Sequence, residues 1–203
     1  MPNPKILVTR RIPAPALAKL EQSATVEVWP HSEPPTPGQL HELVRPCSGL
    51  LCLLTDRVDR PLLDAAPHLR VVSTMSGGYD HIDLAACPER GVTVGYTPGV
   101  LTQATADFAF ALILAVARRI AEGAAHARSG GWITWDPMAL LGLEVSNSTL
   151  GILGLGRIGE AVARRARGFA MRLIYCDPAP KPALEQSLGL ERVDFPTLLA
   201  RSD

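Results

Sequence analysis

Thr149-Leu150-Gly151-Ile152-Leu153-Gly154-Leu155-Gly156-Arg157-Ile158-Gly159 is the stretch whose reading decides the fold. A β-prone run leads into Gly154-Leu155-Gly156-Arg157-Ile158-Gly159, a GxGxxG pattern, and Glu160-Ala161-Val162-Ala163-Arg164-Arg165 follows as a helix. Glycine-rich turns are common, so the pattern carries meaning only with a strand before it, a helix after it and an acid closing the next strand. All of these are present: Asp177 ends the run Arg172–Asp177, 18 residues beyond Gly159. Gly154 would permit the tight strand-to-helix turn, Gly156 would let the backbone approach a diphosphate, and Gly159 would let helix and strand pack closely. Free N–H groups around Arg157 and Ile158 would face the phosphates, helped by the helix dipole. The alternative is a turn that binds nothing. Asp177 would accept hydrogen bonds from ribose hydroxyls and repel a 2′-phosphate, which favours NAD. Arg172 and Lys181 lie near enough in sequence to keep NADP possible.

Working outward, short apolar runs alternate with helical stretches, the signature of βα units on a parallel sheet. Strands are expected at Lys5–Thr9, Thr25–Trp29, Gly49–Leu54, Arg70–Ser73 and Val92–Gly95, and helices at Ala14–Ser23 and Arg60–Ala66. The proline-rich Pro30–Gly38 reads as loop. After Tyr96-Thr97-Pro98-Gly99 the texture changes: Thr102–Ala125 reads as one long helix, apolar nearly all round between Phe108 and Ala117 and therefore buried, either between domains or at a subunit interface. Ser129–Ser148 is irregular and carries Trp132 and Trp135, read as packing or subunit-contact residues. Beyond it, Thr149–Leu155 and Arg172–Asp177 are strands, Arg157–Arg167 is a helix, and a further helix begins at Phe195. The boundary falls near Pro98-Gly99, giving an α/β chain of two parts, residues 4–98 and 99–203. The second part holds about two of the six strands a dinucleotide-binding sheet would have.

Composition narrows the function classes. Of 203 residues 47% are hydrophobic and 20% charged, with twenty basic against twenty acidic, so no basic block argues for nucleic acid or anionic lipid. The longest apolar run, Phe108 to Ala117, is too short to span a bilayer, and no secretory segment opens the chain. Cys47, Cys52, Cys87 and Cys176 show no CxxC or metal-ligand spacing and read as buried reduced thiols, so a cytoplasmic location is expected.

Three stretches together resemble the D-isomer-specific 2-hydroxyacid dehydrogenase family. They are the glycine fingerprint, Ser73-Thr74-Met75-Ser76-Gly77-Gly78-Tyr79-Asp80-His81-Ile82-Asp83, and Gly95-Tyr96-Thr97-Pro98-Gly99-Val100-Leu101-Thr102 leading to Thr105-Ala106-Asp107. Leu51-Cys52-Leu53-Leu54, Ser73–Ser76 and Gly130-Gly131-Trp132 look most like the glyoxylate/hydroxypyruvate reductase branch. The resemblance implies a flavodoxin-like substrate domain followed by an incomplete Rossmann domain, with a small 2-oxo acid as substrate and a homodimer when full length. It also implies that Gly77-Gly78 presents backbone N–H groups to the substrate carboxylate, that Leu54 lines that pocket, and that Thr105 lies near the nicotinamide. Most of the family carries a bulkier residue at position 77, and Glu where Asp107 stands; His81 reads as a turn residue. The family's catalytic Arg, Glu and His have no counterpart in matching context, so the 203-residue chain is expected to be inactive alone. A phosphoglycerate or formate dehydrogenase, or a dinucleotide-sensing corepressor, are the other readings.

Overall fold

The computed structural model describes residues 3–203, which form two compact units divided between Val100 and Leu101. In the first unit the elements are β1 (Lys5–Val8), α1 (Ala14–Glu21), β2 (Thr25–Val28), α2 (Pro37–Val44), β3 (Gly49–Cys52), α3 (Arg60–Ala65), β4 (Val71–Thr74), α4 (Ala86–Glu89) and β5 (Thr93–Gly95). The strands are all parallel in the order β2-β1-β3-β4-β5, so the chain reverses direction across the sheet between β1 and β3. By register Leu7, Leu50, Cys52 and Val72 share one face of the sheet, where they pack against Leu40, Val44, Leu62 and Leu63 of α2 and α3. The expected loop at Pro30–Gly38 gives way to α2 at Pro37, because Thr36 and Gln39 form a reciprocal capping box and Pro37 is preset for the first helical position. Asp59 caps α3 by accepting the Leu62 N–H at 3.2 Å.

The second unit runs α5 (Thr102–Ala117), α6 (Ile120–Arg128), β6 (Thr149–Leu153), α7 (Arg157–Ala166), a short 3-10 turn (Arg167–Phe169), β7 (Arg172–Cys176), α8 (Pro182–Leu188), β8 (Leu190–Arg192) and α9 (Phe195–Arg201). The single long helix expected over Thr102–Ala125 is in fact two. Arg119 takes a left-handed φ of 50° and breaks it, while Leu143 donates its N–H to the Ala117 carbonyl at 2.8 Å and occupies the end of α5. In the single chain Phe108, Leu112 and Val116 of α5 stand at least half exposed, and so do Trp132 and Trp135.

Strands β6, β7 and β8 form a parallel sheet in that order, one strand more than expected. Beneath it Ile152, Leu155, Leu173 and Tyr175 pack against Ala161, Val162, Ala163 and Ala166 of α7 and against Ala106 and Phe110 of α5. Among the described residues no helix is long and apolar enough to cross a membrane.

Candidate functional site

The turn from β6 into α7 has the local geometry its glycines suggest. Gly154 sits at φ +88°, a conformation that side chains avoid. A Cβ on Gly159 would lie 2.4 Å from the Gly154 carbonyl oxygen and 3.2 Å from Ile152 Cγ2, so only glycine lets α7 close on the turn. At Gly156, the N-cap of α7, a Cβ would meet nothing within 4 Å. The backbone N–H groups of Gly156, Arg157, Ile158 and Gly159 find no acceptor among the described residues. Orphan donors at a helix N-terminus beside open space are a place for an anion, and a dinucleotide diphosphate fits both the charge and the room.

Asp177 follows β7 directly and is built into this turn. Its Oδ2 accepts the Leu155 N–H at 2.8 Å and its Oδ1 accepts the Ala179 N–H at 3.0 Å. Those donors, Ala179 foremost and then Leu155, hold the carboxyl below the usual range. Lys181 Nζ lies 4.0 Å from Oδ1, and Arg192 donates to the carbonyls of Asp177 and Pro178. Arg172 is not part of this cluster: it opens β7, at the opposite end from Asp177, and donates to Thr149 Oγ1 at 3.2 Å. Sequence proximity misled there because a strand separates its two ends by about 3.3 Å per residue. Arg192 was the cation missed, since β8 itself was not foreseen.

Thr105 lies exposed in the first turn of α5, and its hydroxyl bonds to no helix carbonyl among the described residues. Two residues on, Asp107 pairs with Arg165 of α7 at 2.7 Å, and Arg165 also donates to Gln103. The departure at position 107 thus has a local role, tying α5 to α7.

In the first unit the pairing of Cys52 with Thr74 sets the loops after β3 and β4 side by side. Leu54 is 68% exposed and lines a cavity of about 400 Å³ together with Asp80 and His81, while Gly77 and Gly78 lie outside its walls. Asp56, almost wholly buried, accepts the Leu53 N–H at 2.8 Å and so anchors the segment carrying Leu54; its other oxygen faces the Arg10 guanidinium at 3.6 Å. Gly77 and Gly78 are exposed, and with Tyr79 they present N–H groups that no described residue accepts. Neither glycine is sterically required, since a Cβ at 77 would come no nearer than 3.9 Å to the Thr97 carbonyl. Beneath the loop runs a polar chain that sequence reasoning did not find: His81 Nε2 lies 3.0 Å from Thr74 Oγ1, which is 2.8 Å from Ser76 Oγ, which donates to the Gly78 carbonyl at 2.6 Å. Burial pushes His81 below its ordinary value, against the opposing pull of Asp56 and Asp80. The thiols of Cys47, Cys52 and Cys87 are buried, and Cys52 is pushed up to about 12 by burial; Cys176 is only half-buried.

The model of the D-isomer specific 2-hydroxyacid dehydrogenase catalytic domain matches residues 6–197. The chain is 47% identical over 205 residues to a glyoxylate reductase of Thermococcus litoralis, covering 99% of this chain and 62% of that protein. It is 45% identical to the human glyoxylate reductase/hydroxypyruvate reductase, covering 98% and 62%. Among solved structures, a protein of Thermus thermophilus superposes with a TM-score of 0.87 at 46% identity, covering 98% of this chain and 62% of the other. A glyoxylate reductase from Paecilomyes thermophila gives 0.80 at 30%, covering 100% and 64%. The chain therefore spans about 62% of the length of the curated relatives it matches.

Proposed function

Because this chain belongs to the D-isomer specific 2-hydroxyacid dehydrogenase family, we propose that it is the substrate-loop and diphosphate-binding portion of an oxidoreductase that reduces glyoxylate or hydroxypyruvate to the 2-hydroxy acid. The observation that carries this reading is the row of orphan N–H groups at Gly156, Arg157 and Ile158 beside a turn that Gly154 and Gly159 alone can make. The first unit is the flavodoxin-like substrate domain and the second an incomplete Rossmann domain.

When bound, a nicotinamide dinucleotide supplies the hydride for the 2-oxo carbon. The chain's own residues hold and orient. Gly156, Arg157 and Ile158 donate to the diphosphate, Asp177 accepts from the adenosine ribose, and Thr105 lies on the nicotinamide side. Gly77 and Gly78 donate to the substrate carboxylate, in the manner of other anion-binding nests, and the exposed Leu54 side chain, on the loop beside theirs, bounds the substrate from outside the cavity it lines with Asp80 and His81. NAD is favoured by the carboxylate of Asp177, and Lys181 at 4.0 Å moderates its repulsion of a 2′-phosphate, so NADP is the weaker partner. The exposed apolar residues Phe108, Leu112 and Val116 of α5, with Trp132 and Trp135, support a homodimer of the full-length protein.

No Arg, Glu or His of the sequence stands in the context of the family's catalytic set, so residues 1–203 alone are expected to bind dinucleotide without turnover. General acid–base catalysis by itself supplies roughly 10²–10⁴-fold. The test is to titrate the chain with NADH and then follow NADH oxidation with hydroxypyruvate. Failure to bind NADH would overturn the diphosphate assignment. Oxidation at the rate of a full-length relative would show that the chemistry resides in residues given no catalytic role here.

A further inference from the structure

We propose that Ser76, Thr74 and His81 are positioning residues: a buried hydroxyl relay that fixes which way the Gly78–Tyr79 peptide of the Gly77–Gly78 loop presents its N–H. The inference deepens the assignment of that loop to the substrate carboxylate and rests on it.

The direction of the relay follows from which atoms can donate. The Gly78 carbonyl can only accept, so the Ser76 hydroxyl spends its single proton there, at 2.6 Å. Ser76 Oγ must then accept from the Thr74 hydroxyl at 2.8 Å. Thr74 Oγ1, its proton committed, accepts in turn from His81, so the ring carries its proton on Nε2, 3.0 Å away. Thr74 is wholly buried and Ser76 nearly so, which makes an unmade bond costly and the order of protons definite.

The consequence falls on the loop. With no cis peptide bond among the described residues, the Gly78–Tyr79 unit is planar and trans. Its carbonyl is held toward Ser76, so the Tyr79 N–H is turned the opposite way. It joins the N–H groups of Gly77 and Gly78, which likewise meet no acceptor among the described residues. The Ser76 carbonyl is held from the other side by the Thr97 N–H and hydroxyl, each at 3.0 Å. The relay thus holds the Gly78–Tyr79 peptide and Thr97 the Ser76–Gly77 peptide, in a loop whose glycines have no side chains to do so.

The experiment uses the 203-residue chain labelled with nitrogen-15, with sodium glyoxylate as the probe. Glyoxylate is expected to shift the amides of Gly77, Gly78 and Tyr79, and the His81 ring to show the Nε2–H tautomer. Ser76→Ala should raise the fast mobility of these amides in nitrogen-15 relaxation and weaken the glyoxylate response about three- to tenfold. Ser76→Thr should restore both, which a merely structural role for a small residue would not produce. If Ser76→Ala does not fold, His81→Leu compared with His81→Gln, which keeps an N–H donor, asks the same question from the half-buried end. Unchanged amide mobility and glyoxylate response in Ser76→Ala, or an Nδ1–H tautomer, would overturn the relay. A wild-type chain whose amides ignore glyoxylate, while amide mobility still responds to Ser76→Ala and is rescued by threonine, would overturn the substrate assignment and leave the relay supported.

Discussion

Replacing Gly159 by alanine would set a Cβ 2.4 Å from the Gly154 carbonyl oxygen and 3.2 Å from Ile152 Cγ2. Comfortable contacts lie at about 3.5 Å or more, so the first is short by roughly 1 Å. The crowded atom is backbone, in a turn already committed to φ +88°, and cannot swing aside as a side-chain tip would. Overpacking of this kind costs about 1–3 kcal/mol, partly offset by the better helix propensity of alanine at about 0.5–1 kcal/mol. The net is about 1–2 kcal/mol, which for a unit of about 100 residues lowers Tm by roughly 4–16 °C. Gly156→Ala is the contrasting change, because its Cβ enters open space and its backbone is extended. That variant should melt as the parent does yet lose about tenfold or more in NADH affinity, as one displaced hydrogen bond to a charged group implies. Calorimetric melting and NADH titration of both variants separate the two roles. A parental Tm for Gly159→Ala, or parental NADH affinity for Gly156→Ala, would refute the division of labour drawn from this turn.

NADH should bind more tightly than NADPH, with Asp177→Ser narrowing the gap; a parental preference for NADPH by titration would contradict the role given to Asp177. The Asp177 carboxyl is lowered by the Ala179 and Leu155 N–H groups, so the stability it contributes is full above the ordinary carboxylate value of about 3.9 and lost as pH falls through the lowered one. Amide exchange at Leu155 should therefore stay protected from neutral pH down to about pH 5 and rise, relative to Asp177→Asn, only in stronger acid. With its thiol pushed up to about 12, Cys52 should resist iodoacetamide at pH 8 until the chain is denatured, whereas prompt labelling would show its burial to be wrong. Light scattering on a full-length version at micromolar concentration should give a dimer, and Val116→Glu, which charges the exposed face of α5, should shift it toward monomer.

The β6–α7 turn was legible because its constraints are local: a φ of +88° and a Cβ with no room can be met only by glycine, and the spacing records both. What lay outside local reach was missed. Strand β8 has three residues, two of them exposed and charged, and exists because Gly189 reverses the end of α8 and β7 offers an edge to pair with. The break at Arg119 leaves little trace in an Ala-rich run, since it is tied to Gly142 and Leu143 closing on Ala117 from more than twenty residues away. A Cβ on Gly142 would lie 2.2 Å from the Ala117 carbonyl oxygen, a requirement invisible until the segments meet. The hydroxyl relay escaped notice for a similar reason. In sequence Thr74 and Ser76 carry only a part of the family resemblance, and the contact appears when the curl of the chain brings His81 back over Thr74.

The double engagement of Asp177 ties two properties that evolution would otherwise alter separately. The carboxylate proposed to accept from the ribose also stitches Leu155 to the strand end, so in that reading its oxygens are at once a selectivity element and a structural rivet. A lineage drifting toward the phosphorylated dinucleotide cannot simply discard the charge, because the first step strands a backbone donor inside the diphosphate turn and weakens the grip on either cofactor. Such a transition is epistatic: a replacement acceptor for Leu155 must arrive before, or with, any new cation beside Lys181 and Arg192.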